Sequence, residues 1–210
     1  MGLCRSSKTF FSTRHPVIPF TQPQQITDIM RRMNRAELAG RIAETSILHG
    51  DFTLRSGRKS TWYIDKYLFT TKPDILASLG EMFSEKIPSK TTLLAGAELG
   101  GIPLVTVAAI ATGLPCIFIR NQKKEYGTSQ QLEGVLTKND RVVIVEDIAT
   151  TGGQVLEAAQ TIQERGATVE SIIAVIDRCE GARENIESSG FVFDSIFTTT
   201  DLGIVEQPTL

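Results

Sequence analysis

Cysteine, histidine and long apolar runs are scarce in this chain, and each scarcity closes off a class of function. The three cysteines, Cys4, Cys116 and Cys179, are scattered, odd in number and without a C-x-x-C pair. That argues against a disulfide framework or a zinc site and suits a reducing cytoplasm, with the thiols as packing residues. Two histidines, His15 and His49, would leave a Ser-His-Asp site or a multi-histidine metal centre resting on His49. It stands in a loop-like "LHGDF" and reads as structural. No G-x-x-x-x-G-K-[ST] loop is present, and "GAELGG" (96–101) lacks the G-x-G-x-x-G spacing, so neither a P-loop nor a dinucleotide fingerprint is available. No apolar stretch is long enough for a secretory signal or a membrane span. The formal net charge of −2 supplies no global attraction to nucleic acid or anionic lipid, and neither is expected as a partner.

What is present is the material of one globular domain: 210 residues, 41% hydrophobic and 22% charged, enough to bury a sizeable core. Residues 1–33 stand apart. Arg5, Lys8, Arg14, Arg31 and Arg32 face a single acid, Asp28, among serines and prolines that cannot build a core. They are expected to be a disordered leader or a start placed upstream of Met30 or Met33, and are left out of the fold. An organelle transit peptide, or myristoylation at the M-G-x-x-x-[ST] start, is a weaker reading of the same stretch.

The domain therefore runs over 34–210, and its organisation is regular. "NRAELAGRIAETSIL" sets Ala39, Ile42, Ala43 and Ile47 on one helical face behind an Asn34/Glu37 capping box. "TTLLAG", "PCIFI", "RVVIVED" and "VESIIAVID" are apolar runs of strand length, with helix-like stretches at 102–111 and 154–165 between them. Strand and helix alternate, which predicts an α/β fold with a mostly parallel central sheet flanked by helices. "FVFDSIF" reads as a last, peripheral strand with Phe191, Phe193 and Phe197 on one face.

The stretch "VVIVEDIATTGGQ" (142–154) ends an apolar strand in Glu146 and Asp147, then turns through small residues into a helix. Ligands of parallel sheets bind beyond the carboxyl ends of the strands. Ala149, Thr150, Thr151, Gly152 and Gly153 can surround an anion with backbone N–H groups and hydroxyls at the positive helix end. Carboxylates repel a phosphate, so Glu146 and Asp147 suit neutral hydroxyls, as on a ribose, or a metal carried in with the ligand. A sugar phosphate meets these demands. A solvated acid pair beside a glycine turn would look the same in isolation.

This stretch resembles the phosphoribosyl-pyrophosphate signature of the type I phosphoribosyltransferases. "GDFTLRSGRKSTWYIDK" (50–66), "GGIPL" (100–104), "FIR" with "NQKKEYG" (118–127) and "IDRCEG" (176–181) are similar, in order and spacing, to the orotate phosphoribosyltransferase family. The resemblance implies transfer of a phosphoribosyl group from phosphoribosyl pyrophosphate to orotate. The products would be pyrophosphate and orotidine 5′-phosphate, the precursor of UMP in pyrimidine biosynthesis. It also implies a small N-terminal hood over the site, Mg2+ as cofactor held by ligand oxygens and water with no dedicated protein ligands, a homodimer and a cytoplasmic location. Glu146 and Asp147 would hold the ribose hydroxyls, 149–153 the 5′-phosphate, Arg178 the orotate carboxylate and Lys59 the base and pyrophosphate side. Arg178 could otherwise be a surface partner for Glu180. The loop 120–131 would be a lid over pyrophosphate, shared across the dimer, with Arg120 and Lys124 catalytic and Lys123 and Tyr126 beside them.

Three departures from the family pattern bear on rate and substrate, not fold. Asn121 and Tyr126 stand where the lid often has lysine and histidine, Gly100 where the site often has lysine, and Glu146 where aspartate is more usual. Lys123 partly offsets the lost charge. Two alternatives stay open: transfer to another nucleobase, and a phosphoribosyl-pyrophosphate sensor without catalysis.

Overall fold

The computed structural model describes residues 32–53, 57, 59–120 and 131–204. Residues 1–31 of the expected leader, and Asn121, Lys123, Lys124 and Tyr126 of the expected lid, lie outside these. Arg32 and Met33, grouped with the leader by composition, are described: Arg32 pairs with Glu81 at 3.1 Å and Met33 borders the core.

Helix α1 (Arg35–Ser46) starts at the expected capping box. The Glu37 backbone N–H donates to Asn34 Oδ1 and the Asn34 N–H to Glu37 Oε2, each at 3.0 Å. Its buried face carries Leu38, Ala39, Ile42 and Ser46. Ile47, expected on that face, already opens strand β1 (Ile47–Thr53), which pairs antiparallel with β2 (Lys59–Ile64). His49 therefore lies exposed in a strand, and the loop expectation for it is wrong. A register irregularity between His49 and Phe52 breaks the period-two alternation that would have revealed the strand. Helices α2 (Lys66–Thr70) and α3 (Pro73–Lys86) follow. Neither is among the expected elements, although Ile75, Leu79 and Phe83 recur every fourth residue and are fully buried.

The remaining elements are β3 (Leu93–Ala97), α4 (Gly101–Thr112), β4 (Cys116–Ile119), β5 (Leu132–Glu133), β6 (Arg141–Ala149), α5 (Gly153–Gln163), β7 (Thr168–Asp177), α6 (Ala182–Ser188) and β8 (Phe193–Thr198). They build one six-stranded sheet in the order β5-β4-β3-β6-β7-β8. Every neighbouring pair is parallel except β4 with β5. In β6, Val143 and Val145 pack into one core cluster while Val142 and Ile144 pack into the other. Both faces are covered, which is why the strand is continuously apolar. The expected α/β architecture is the one observed.

The fold refines the packing at two places. Phe191 and Phe193 join one cluster, but Phe197 joins the other. Phe197 lies near the C-terminal end of β8, where α1 folds over it, with the Arg35 guanidinium 5.1 Å from its ring centroid. Cys116 is half-buried beside the core, whereas Cys179 is exposed and does not pack.

The chain leaves β3 in one direction, through α4 to β4, and leaves β6 in the other, through α5 to β7. The reversal opens a crevice beyond the carboxyl ends of β3 and β6, the place where parallel sheets bind ligands. Gly96 and Gly101 let α4 close onto that edge. A Cβ on Gly96 would sit 2.6 Å from the Gly101 carbonyl oxygen. Among the described residues no helix is long and apolar enough to cross a membrane.

Candidate active site

Glu146 and Asp147 are carried to the crevice by the last turns of β6, and both are buried, with 8% and 2% exposure. Asp147 Oδ1 accepts from the Ile148 backbone N–H at 2.6 Å, and Asp147 Oδ2 lies 2.9 Å from Lys66 Nζ. Among the described residues Glu146 Oε2 is buried with no hydrogen-bond partner. Such an atom is costly unless something arrives to satisfy it. Burial first, and then the neighbouring Asp147 charge, push the Glu146 carboxyl well above its ordinary value. For Lys66 burial is the largest single influence and lowers the pKa, but the Asp147 charge and hydrogen bond, joined by Glu146 and Tyr67, outweigh it and leave the value raised.

The raised Glu146 pKa has a consequence for stability. A carboxyl that holds its proton more tightly when folded contributes stability below its ordinary pKa of 4.5 and loses it as pH rises through the raised value. Glu146→Gln should therefore melt higher than the wild-type chain at neutral pH, and the difference should shrink as pH falls toward the ordinary carboxylate range. Each pKa unit is about 1.4 kcal/mol, or roughly 3–6 °C in a chain of this size. Thermal melts of both proteins across pH would check this, and equal melting temperatures at neutral pH would contradict it.

The loop after the acids, the expected anion cradle, turns through Gly152 into α5. Gly152 caps α5 with φ +79°, and a Cβ there would also meet Ile186 Cγ1 at 2.9 Å. Glycine is needed on both counts. The N-terminus of a helix, here at Gly153, favours negative charge. From behind, Asn185 Nδ2 donates to the Thr151 carbonyl at 2.9 Å, so α6 braces the cradle. A seven-residue helix is too short to show a period, which is why this brace was not legible in sequence.

Arg178 follows β7 directly and is tied to the cradle by its backbone N–H, which donates to the Ala149 carbonyl at 2.9 Å. The residue is 9% exposed. The guanidinium lies 4.8 Å from the Trp62 ring centroid, and Nη2 is 2.8 Å from Glu180 Oε1. The pairing with Glu180 exists, yet Arg178 is no surface residue, and its Nε is buried without a hydrogen-bond partner among the described residues. Trp62 and Lys66 both come from the β2–α2 segment, so the N-terminal hairpin reaches the ends of β6 and β7. Neither was singled out from sequence; "TWYIDK" was legible only as part of a longer motif.

The structure thus brings together Glu146, Asp147, 149–153 and Arg178. Lys59 is exposed on β2, and its ammonium donates to Thr53 Oγ1 at 2.7 Å. Arg120 directly follows β4, with Nη1 3.8 Å from Glu133 Oε1, and its backbone N–H donates to the Gln131 carbonyl at 2.8 Å. That bond closes the base of the loop carrying Lys123, Lys124 and Tyr126.

The family model described as the phosphoribosyl transferase domain matches residues 69–207, the stretch that carries the acid pair, the glycine turn and the topological reversal. The chain belongs to this phosphoribosyl transferase family. Among curated relatives of this phosphoribosyl transferase, the orotate phosphoribosyltransferase of Methanocella arvoryzae is 42% identical over 167 residues, covering 79% of this chain and 95% of that one. The orotate phosphoribosyltransferase of Haloquadratum walsbyi is 40% identical, covering 87% and 96%. Among solved structures, Mycobacterium tuberculosis orotate phosphoribosyltransferase in complex with 5-phospho-alpha-D-ribosyl 1-diphosphate superposes with a TM-score of 0.70 at 31% identity, covering 81% of this chain and 99% of that one.

Proposed function

We propose that this phosphoribosyl transferase moves the 5-phosphoribosyl group from phosphoribosyl pyrophosphate to orotate. The observation that carries the choice of base is Arg178. A buried guanidinium whose Nε has no hydrogen-bond partner among the described residues, held beside the expected phosphate cradle, matches a carboxylate that orotate has and uracil lacks.

In this reading Glu146 and Asp147 accept hydrogen bonds from the ribose hydroxyls and the α5 N-terminus holds the 5′-phosphate. The bond from ribose C1 to the pyrophosphate oxygen breaks, leaving an oxocarbenium-like centre. The orotate ring nitrogen, having lost its proton, forms the new C–N bond. Arg120, with Lys123, Lys124 and Tyr126 of the loop, faces the leaving group, whose negative charge grows as the bond breaks. Lys59 lines the base and pyrophosphate side.

Magnesium suits the site as a passenger of the ligand. Among the described residues no cluster of three or more metal-binding side chains exists, while the ligand offers hard oxygens of the kind this ion prefers. When bound it would offset pyrophosphate charge.

A homodimer fits the surface. Helix α4 is apolar on nearly every side, yet Ile110 is 77% exposed, which a subunit contact would explain. The sparse, scattered cysteines support a cytoplasmic setting.

The test is to supply phosphoribosyl pyrophosphate and magnesium with orotate, uracil or hypoxanthine and follow pyrophosphate release. Turnover is expected with orotate alone; product from another base would move the assignment to that base, and binding without product to a sensor. In the same assay Arg178→Ala should raise the KM for orotate by roughly 10- to 100-fold, the worth of a charged hydrogen bond. Trp62 is the only tryptophan in the chain, so orotate binding should change its fluorescence in the wild-type protein and lose that effect in Arg178→Ala.

A further inference from the structure

Lys66 is a charged neighbour of the acid pair that neither the cradle nor the carboxylate signature contains. It opens α2, outside the sheet, and its side chain is one-third exposed while its partner Asp147 is buried. The contact depends on a third residue. Gly100 has φ −69° and ψ −29°, ordinary right-handed geometry that any residue adopts, so no backbone demand selects glycine there. The demand is spatial: a Cβ at position 100 would lie 1.6 Å from Asp147 Oδ2 and 2.7 Å from Asp147 Cγ. The carboxylate fills the volume a side chain would take, and in that position it meets Lys66.

We propose that Lys66 is a positioning residue for the transfer reaction, holding the Asp147 carboxylate in the space left by Gly100 and offsetting the charge of the acid pair. The need follows from the donor's chemistry. Phosphoribosyl pyrophosphate carries charge at both ends, and two adjacent carboxylates oppose its approach to the hydroxyls between them. A cation held against Asp147 reduces that opposition. Lys66 acts through Asp147, and the inference rests on the transferase reading above.

The full-length protein and its Lys66→Met, Lys66→Arg, Gly100→Ala and Lys66→Met/Gly100→Ala variants would be titrated calorimetrically with phosphoribosyl pyrophosphate and then assayed for KM and kcat. Lys66→Met should weaken donor binding by about 10- to 100-fold, the worth of a charged contact, with the KM for orotate unchanged. Lys66→Arg should recover most of the loss. Gly100→Ala should reproduce it, because the new methyl displaces the carboxylate from Lys66, and the double variant should be no worse than Lys66→Met alone. A merely structural clamp would lower the melting temperature without this split between the two substrates or the non-additivity. Donor affinity in Lys66→Met within about twofold of wild type, or full additivity in the double variant, would overturn the proposal. Gly100→Ala keeps Lys66 and tests the same contact should Lys66→Met fail to fold. A wild-type chain that neither binds the donor nor turns over would instead bring down the transferase reading, and this inference with it.

Discussion

Asp147→Asn is expected to lower kcat/KM for phosphoribosyl pyrophosphate by about 10²- to 10⁴-fold, the loss from weakening two charged hydrogen bonds of roughly 1.5–3 kcal/mol each. The substitution preserves shape and removes charge, so it isolates the electrostatic part of ribose binding. Two features of the structure make this residue the sensitive one. It is only 2% exposed, so water does not replace the lost interaction. It is also the partner of Lys66 at 2.9 Å, so the asparagine leaves a cation facing a neutral amide. Steady-state kinetics with donor and orotate varied separately, beside a melting curve, would measure it. Activity within a few-fold of wild type would remove Asp147 from the ribose site.

Lys124→Ala should reduce kcat by about 10²–10³, if Lys124 stabilises the developing pyrophosphate charge as a typical oxyanion donor does. Its loop springs from the carboxyl end of β4, the end that carries the site, and returns through β5, the edge strand of the sheet. A loop leaving a sheet edge can extend away from its own body toward a two-fold partner. Mixing Lys124→Ala subunits with Asp147→Asn subunits distinguishes the geometries. If the loop serves the partner's site, half of the randomly formed dimers are mixed and each has one intact site, so up to about a quarter of wild-type activity should return. If it serves its own body, every site in a mixed dimer keeps one defect. Absence of recovery, with subunit exchange shown separately, would refute the shared arrangement and leave the transfer chemistry untouched.

Much of this protein is written in local pattern. The Asn34 cap needs only Glu37 three residues on. Strand β6 announces itself as a parallel strand because both faces are buried and every residue from Val142 to Val145 is apolar. The acids and the glycine turn after it are contiguous, so the cradle and its place at a strand end could be read before any folding. The alternation of strands and helices set the α/β class for the same reason: it is a property of order along the chain.

What the sequence by itself determined was therefore whatever neighbouring residues encode: the capped helix, the apolar strands, the acid pair and the glycine turn after it. Tertiary structure decided whatever depends on distant residues meeting. His49 became a strand residue because β2 pairs with it across an irregularity. Phe197 packs in a different core cluster from Phe193, with the Arg35 guanidinium over its ring. Thr151 is braced by Asn185, 34 positions on. Arg178 is held against Trp62 and Asp147 against Lys66. Gly100 shows most clearly why the pattern stops there. Its glycine answers neither a turn nor a left-handed backbone, but a carboxylate 47 positions further along that occupies the place of its missing side chain.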